Sequence, residues 1–402
     1  MKYRGYIWKR KIEDVMMLPV ILLGKLAARF HPLGREYETY FFFPFYHVGG
    51  AEKVHAQVAK AAGNENCILF FTRKSQNDLF FQAFADSQCV TRDISRWTDN
   101  KWIYFVNIFF RGLIAQYING QKQKPVVFNG QCNFGYKISP WIDKSIPQIE
   151  LIHSLCSFSY IRIPFLPFIT KTVMISKIRI QEHLDLYKRY RIPDYFGDRI
   201  RFIMNAIELP QPKEKSYTDD VLTVLYVGRS TPEKRVHLIA QMAKLARDAK
   251  QNIRFEFLGE VKEAIPEDLH SYCHFWGNQS DAKKIDAIYS EAQVLILVSD
   301  TEGFPMVVME AMAKGLAIVT TAVGELPLHI KPNENGYLIE DYLNEAKVVQ
   351  DGLTRISFLQ TNRNLLAEVG RNNTKYAFEH FGMERFNTQY KVLFNELRVN
   401  NA

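Results

Sequence analysis

The chain of 402 residues has little cysteine, no long apolar run and few of the short motifs that mark nucleotide or metal chemistry. Its five cysteines (Cys67, Cys89, Cys132, Cys156, Cys273) are odd in number, scattered and never spaced as CxxC. A disulfide scaffold and a structural zinc site are not expected, and a reducing compartment is. The most apolar stretch near the start, Val15 to Leu23, is nine residues, against the ~20 that a spanning helix needs. Neither GxxxxGK[ST] nor GxGxxG occurs, which argues against a P-loop and a dinucleotide fingerprint. Asp-x-Asp is also missing, the nearest string being Asp300-Thr-Glu302. No basic run is interleaved with aromatics, so nucleic acid is not an expected partner.

What is there is globular. Hydrophobic residues are 47% and charged residues 23%, which rules out a disordered or fibrous chain. At ~150 residues per domain the length argues for two domains. The net charge of +8 is uneven: residues 1–210 hold 29 Lys+Arg against 17 Asp+Glu, a surplus of +12, and the remainder carries −4. A basic half suits an anionic partner, a phosphorylated substrate or an acidic membrane surface.

Residues 1–37 form a segment of their own. Lys2, Arg4, Lys9, Arg10 and Lys11 precede the apolar stretch, and Lys25 and Arg29 follow it. This reads as a basic amphipathic helix on a membrane surface, with Trp8 at headgroup level. Packing on the protein itself and a secretory leader are the alternatives; Glu13 and Asp14, directly before the apolar run, disfavour the leader.

From residue 38 short apolar strands alternate with helices. Strands are expected at Thr39–Phe43, Cys67–Phe71, Pro125–Phe128, Gln148–His153, Thr172–Ser176 and Arg201–Asn205, with helices including Gly50–Ala62 and Ile178–Tyr190. The two-proline apolar segment Ile161 to Ile169 reads as a loop that either plugs the core or meets a greasy acceptor. Pro210 to Asp220 is polar and aperiodic, a linker. Strands then recur at Leu222–Val227, Ile253–Leu258, Cys273–Trp276, Val294–Val298 and Leu316–Thr320. Helices are expected at Pro232–Ala249, Asp281–Ala292 and Pro305–Lys314, the last with Pro at its first position and Gly315 past its end. The tail, Tyr376 to Leu397, reads as one helix.

Near-continuous apolar strands between helices predict parallel sheets covered on both faces. The expected architecture is α/β: two Rossmann-like, doubly wound domains facing across a cleft. The boundaries are 38–208, a linker 209–220, 221–375, and a C-terminal helix 376–402 that crosses back to the first domain.

Three strings carry the chemistry. In Ser299-Asp-Thr-Glu-Gly-Phe-Pro-Met-Val-Val-Met-Glu-Ala-Met-Ala-Lys-Gly315, Glu302 lies in the loop after a strand and Glu310 inside the following helix. Two carboxylates can so face one ligand from two heights, beside the free N–H groups of a helix start. In Gly228-Arg229-Ser-Thr-Pro-Glu-Lys234, two cations follow a strand, and charge-assisted bonds from Arg and Lys suit a diphosphate. In His47-Val-Gly-Gly-Ala-Glu-Lys53, Gly49 and Gly50 allow close backbone approach to a phosphate or a sugar.

With His153, Asn205-Ala-Ile207, Phe275-Trp-Gly277, Val323-Gly-Glu-Leu326 and Asn335-Gly-Tyr-Leu338, these strings resemble the retaining glycosyltransferases of family 4 (GT-B fold, glycosyl transferases group 1), of the bacterial surface-polysaccharide type. The resemblance covers about residues 38–397. It implies that Glu310 holds the ribose of a nucleotide sugar. Glu302 would contact the transferred sugar, beside main-chain groups of Gly303, Phe304 and Pro305. Arg229 and Lys234 would hold the departing diphosphate, Gly49 and Gly50 would cap it, His153 would polarise or position a sugar hydroxyl, and Trp276 with Gly277 would lie against the base. Glu302, His153, Arg229 and Lys234 form the implied catalytic set.

The implied donor is a UDP- or GDP-sugar, with no cofactor and no metal. The acceptor is a glycan or lipid-linked glycan, and the implied place is the cytoplasm, at the inner face of the cytoplasmic membrane. A nucleotide-sugar epimerase of the same fold and a non-catalytic carbohydrate-binding relative are the alternatives. The sequence departs from the family at Lys234-Arg235, where Lys-Gly is usual, and at Val323-Gly324, where Gly-Gly is common. Arg235 is expected to point to solvent.

Overall fold

The computed structural model describes residues 2–47, 49–211, 215–217 and 220–399. They fall into two units, residues 1–204 with 384–402, and residues 205–383. Of the expected linker, residues 212–214, 218 and 219 lie outside the described residues.

The first unit is built on a seven-stranded sheet: β1 (Thr39–Phe43), β2 (Cys67–Phe71), β3 (Val90–Asp93), β4 (Val126–Asn129), β5 (Gln148–Ile152), β6 (Lys171–Met174) and β7 (Ile200–Phe202). All pairs are parallel, in the order β3-β2-β1-β4-β5-β6-β7. The second holds six parallel strands: β8 (Leu222–Val227), β9 (Ile253–Leu258), β10 (Cys273–Gly277), β11 (Val294–Leu297), β12 (Ala317–Thr321) and β13 (Gly336–Ile339). Their order is β10-β9-β8-β11-β12-β13. In each sheet the order reverses beside the first strand, between β1 and β4 and between β8 and β11. The loops leaving those strands diverge and open a crevice at the carboxyl ends, where open α/β sheets bind ligands.

The sequence of β1, Thr-Tyr-Phe-Phe-Phe, is buried throughout, which fits a central strand with both faces covered. Phe42 stacks on Phe70 and meets Phe134 on one face. Phe41 meets Phe128 and Phe394 on the other. Phe394 belongs to the last helix, Met383–Val399, whose Arg398 also bonds Thr39 and pairs with Glu38. The C-terminal helix is thus part of the first unit.

Several elements differ from expectation, each for a local reason. The tail is two helices, Arg363–His380 and Met383–Val399, separated at Phe381-Gly382. Pro305 is the N-cap of Met306–Ala313 rather than its first residue. The strands β3 and β13 were not expected: Val90-Thr-Arg-Asp is mostly polar because β3 is an edge strand, and β13 is only four residues. The Ile161–Ile169 segment plugs a core, with Ile163 and Leu166 packed against Leu186, Tyr187 and Phe196.

The start of the chain is one helix, Tyr3–Phe30, packed on the helix Tyr104–Asn119. The crossing is close because glycine stands on both sides. A Cβ on Gly24 would collide with the Phe109 carbonyl and lie 2.8 Å from the Leu113 nitrogen, and one on Gly112 would strike the Ile21 carbonyl. Arg10 is not a surface cation as expected: it is buried, paired with Asp14 and stacked over Phe168. The helix therefore packs on the protein along one side. Its other side leaves Trp8, Val15, Met16, Leu23 and Phe30 exposed, Met16 by 75%.

Candidate functional site

In the second unit the chain leaves β8 at Gly228 and passes through Arg229 into a short 3-10 turn, Pro232–Lys234. The expected helix Pro232–Ala249 is broken here, because Arg235 adopts the left-handed conformation (φ +47°) and caps the helix Val236–Asp248. This is the position where the resembling family carries glycine, which reaches that conformation at no steric cost. Arg235 does not point to solvent. It is buried, and its guanidinium donates to the carbonyls of Val298 and Tyr342, each at 2.8 Å. Those bonds to a charged donor offset the strain of the backbone.

The same turn aims Lys234 at the loop after β11. Lys234 Nζ donates to Glu302 Oε1 at 2.5 Å, and Ser299 Oγ donates to the same oxygen at 2.7 Å. The Asp300 nitrogen, bonded to the Glu233 carbonyl at 3.0 Å, ties the two loops together. Arg229 stays exposed; its carbonyl accepts from the Tyr226 hydroxyl at 2.8 Å.

The backbone beyond Glu302 is held by Gly324. At φ +57°, a Cβ there would collide with the carbonyls of both Glu302 and Gly303. This explains why Gly324 is kept while its neighbour is Val323, which is buried. A side chain on Gly303 would meet no described atom within 4 Å, so its bareness exposes backbone rather than relieving a clash. Phe304 turns inward onto His329, ring centroids 4.2 Å apart. One turn into the helix Met306–Ala313, Glu310 accepts from the Tyr289 hydroxyl at 3.0 Å. Burial, with this carboxylate beside it, pushes the Tyr289 hydroxyl well above its usual range, so it remains a donor.

The structure thus brings Lys234, Glu302 and the Gly303 backbone together at the switch point of the second sheet, with Arg229 and Glu310 on the elements that frame them. Trp276 and Gly277 end the edge strand β10, where the Gly277 carbonyl accepts from the Gly259 nitrogen at 2.9 Å and Gly259 in turn packs on the Gly228 carbonyl. The Trp276 indole donates to Glu256 at 2.8 Å and lies under Lys284, so its N–H is already engaged.

In the first unit the switch point carries Gly49, the N-cap of Gly50–Ala62. A Cβ on Gly49 would collide with the Glu52 carboxylate, and Gly50 has no described atom within 4 Å of where its own would be. His153 follows β5 directly, and its Nε2 lies 2.9 Å from Nε2 of His55. His55 was missed in the sequence. It sits among Val54, Ala56 and Val58 on the buried side of a helix, and that apolar run was the only signal.

Comparisons with known proteins bear on the family and the fold. Residues 210–375 match the family Glycosyl transferases group 1. Over 202 residues, 46% of this chain and 52% of the relative, the sequence is 25% identical to a lipopolysaccharide 1,2-N-acetylglucosaminetransferase of Salmonella typhimurium. Over 222 residues, 53% of this chain and 42% of the relative, it is 23% identical to a poly(ribitol-phosphate) alpha-N-acetylglucosaminyltransferase of Staphylococcus aureus. The chain spans about half the length of the curated relatives it matches.

In fold it is similar to Anabaena HepE solved with UDP, with TM-score 0.69 and 13% identity over 89% of this chain and 100% of that one. It is also similar to sucrose-phosphate synthase of Thermosynechococcus elongatus, with TM-score 0.69 and 17% identity over 91% and 100%. The α/β class expected from the sequence, two parallel Rossmann-like sheets of the GT-B kind, is the fold found.

Proposed function

We propose that this chain is a retaining glycosyltransferase of family 4. It would move a hexose-type sugar from a UDP- or GDP-sugar to a hydroxyl of a glycan or lipid-linked glycan. The observation that carries the reading is the ion pair between Lys234 and Glu302 at the switch point of the second sheet. A cation at that point suits a diphosphate, and a carboxylate beside it suits the hydroxyls of a sugar, which supports the reading.

In the proposed reaction the bond from the anomeric carbon to the diphosphate oxygen breaks. The acceptor oxygen bonds to the same carbon on the same face, and the acceptor's proton passes to the departing phosphate oxygen. Negative charge grows on the diphosphate, and preorganised cations placed where charge grows are usually the largest catalytic contribution. Arg229 and Lys234 have that role, Glu310 holds the ribose, and Gly303 with the start of the helix Met306–Ala313 offers main-chain N–H groups. Gly49, Gly50 and His153 in the first unit would serve the phosphate and the sugar, and Trp276 with Gly277 the base. Since two cations supply the charge, turnover should survive EDTA.

A membrane-held acceptor is part of the proposal, at the inner face of the cytoplasmic membrane. Its support is the exposed apolar side of the helix Tyr3–Phe30, flanked by Lys2, Arg4, Lys9 and Lys11 at one end and Arg29 at the other. Among the described residues no helix is long and apolar enough to cross a membrane.

The test is a thermal-shift panel of UDP, GDP, ADP and their sugar conjugates on the wild type and on Glu310→Ala. Saturation at 100 times the Kd stabilises by about 2.7 kcal/mol. One nucleotide should raise the melting temperature of the wild type and not of the variant. A flat panel on the wild type would overturn the reading.

A further inference from the structure

The two histidines at the switch point of the first sheet share one hydrogen bond. Nε2 of His55 and Nε2 of His153 are 2.9 Å apart, with ring centroids at 4.9 Å. His55 is almost fully buried, whereas His153 is half-buried. The His55 ring lies nearly parallel to Phe43, 4.7 Å between centroids. Gly130 makes room for both: a Cβ there would stand 2.6 Å from a Phe43 ring carbon and 2.9 Å from His55 Nε2. The backbone of the loop after β4 is thus fitted around this pair.

An N···N hydrogen bond holds one proton. Burial holds both rings neutral, bringing His153 down to about 4 and His55 well below its usual range. Each neutral ring then carries one N–H. Were His153 the donor, the proton of His55 would sit on its Nδ1. That atom is buried and has no hydrogen-bond partner among the described residues. An orphaned buried N–H is rare in proteins and costs ~1–3 kcal/mol, while a bare imidazole lone pair beside a Phe ring is the milder arrangement. So His55 donates from Nε2, His153 accepts at Nε2, and the one N–H left to the pair is on Nδ1 of His153.

We propose that His55 is a positioning residue that locks His153 in its Nδ1–H tautomer, so that His153 meets the sugar as a neutral hydrogen-bond donor and not as a general base. The role toward the sugar rests on the proposed function; the tautomer does not.

The two parts are tested separately. Histidine labelled with ¹⁵N in the full chain, without ligand, is read by long-range ¹H–¹⁵N correlation, and the signals are assigned with His55→Gln and His153→Gln. The expected result is a protonated Nδ1 and a bare Nε2 on His153. A protonated Nε2 on His153 overturns the proposal, whatever the activity. His55→Phe keeps the stack on Phe43 and removes the donor, so kcat should fall about tenfold with the donor KM unchanged. His55→Gln, whose amide can donate to His153, should restore most of it. Equal kcat in wild type and His55→Phe would overturn the positioning role. If His55→Phe does not fold, the spectrum of the wild type and the kcat of His55→Gln still decide. Undiminished transfer by His153→Gln would sink the catalytic role of His153 while the tautomer assignment stood.

Discussion

Lys234 and Glu302 meet at 2.5 Å although 68 residues separate them, because the loops after β8 and β11 open side by side where the strand order reverses. Each side chain keeps the other in place before any ligand arrives, which is the preorganisation that charge stabilisation needs. We expect Lys234→Ala to lower kcat by ~10²–10³-fold, the scale on which a single preorganised donor acts. Glu302→Gln should cost less than that. The double variant should lose far less than the product of the two single losses, since contacting residues are not additive. Steady-state kinetics of the three variants checks this, and a fully multiplicative loss would mean the pair acts as two independent groups.

On the proposed function, Tyr289 should affect binding rather than chemistry. Its hydroxyl donates to Glu310 Oε2 at 3.0 Å and fixes the carboxylate assigned to the ribose. A bond to a charged group is worth ~1.5–3 kcal/mol. Tyr289→Phe should therefore raise the donor KM about tenfold or more and leave kcat near the wild-type value. A drop in kcat at constant KM would remove Glu310 from ground-state binding.

Arg235 separates backbone strain from side-chain contacts. Arg235→Ala loses the bonds to Val298 and Tyr342 and keeps the left-handed backbone; Arg235→Gly loses the same bonds and relaxes the backbone. A non-glycine residue in that conformation costs ~1–2 kcal/mol. Both variants should be less stable than the wild type, and the glycine variant should melt some 2–4 °C above the alanine variant. Identical melting temperatures would show that the turn reshapes once the guanidinium is gone.

Arg235 also shows where the sequence was legible and where it was not. The strands β1 and β2 could be read to the residue because an all-apolar run of five has one sensible fate between two helical layers. The strings around Lys234 and Glu302 stand in the loops after β8 and β11, where the alternation of strand and helix put them. The break at Arg235 was hidden: a charged residue in a left-handed turn has no local signature, and only the carbonyls of Val298 and Tyr342, 63 and 107 residues away, justify it. His55 was hidden by the opposite effect. A histidine on the apolar face of a helix reads as core until the end of β5, 98 residues later, delivers its partner.

Acid should weaken the first unit through its buried histidines. His183 donates from Nδ1 to the Arg179 carbonyl at 2.7 Å and accepts from Ser159 at 2.9 Å, an arrangement only the neutral ring can make. Burial, with Arg162 nearby, holds it down to about 4. Unfolded, it titrates near 6.5, so between those values the unfolded chain binds a proton that the folded chain does not. The stabilisation from the neutral ring is complete above about 6.5 and is lost as the pH falls toward 4, on the order of 3 kcal/mol at the end. His55 and His153 act in the same direction. Melting temperatures of wild type and His183→Gln from pH 8 to 4 should converge as the pH falls; parallel curves would show that His183 ionises in the folded state like an exposed histidine.

The helix Tyr3–Phe30 offers a test that leaves the core untouched. From Val15 to Ala28 it is apolar on nearly every side, interrupted by Lys25, and a helix apolar all round is ordinarily buried. Only the side bearing Ile21, Gly24 and Ala28 is covered by the protein. Trp102, 96% exposed, and Phe105 lie at the start of the neighbouring helical segment and add to the uncovered apolar surface. Met16→Glu and Leu23→Glu replace exposed residues, so the melting temperature should barely change, because exposed substitutions usually fall within ~0.5 kcal/mol. Flotation with vesicles rich in anionic lipid should carry the wild type upward and leave the double variant at the bottom of the gradient. Lys9→Gln with Lys11→Gln should reduce binding at low salt more than at high salt, since charges at the headgroup level are screened within about 10 Å at 0.1 M ionic strength. Equal flotation of all the variants would mean that the lipid contact lies elsewhere. No flotation of the wild type would return the exposed side of this helix to a partner other than a bilayer.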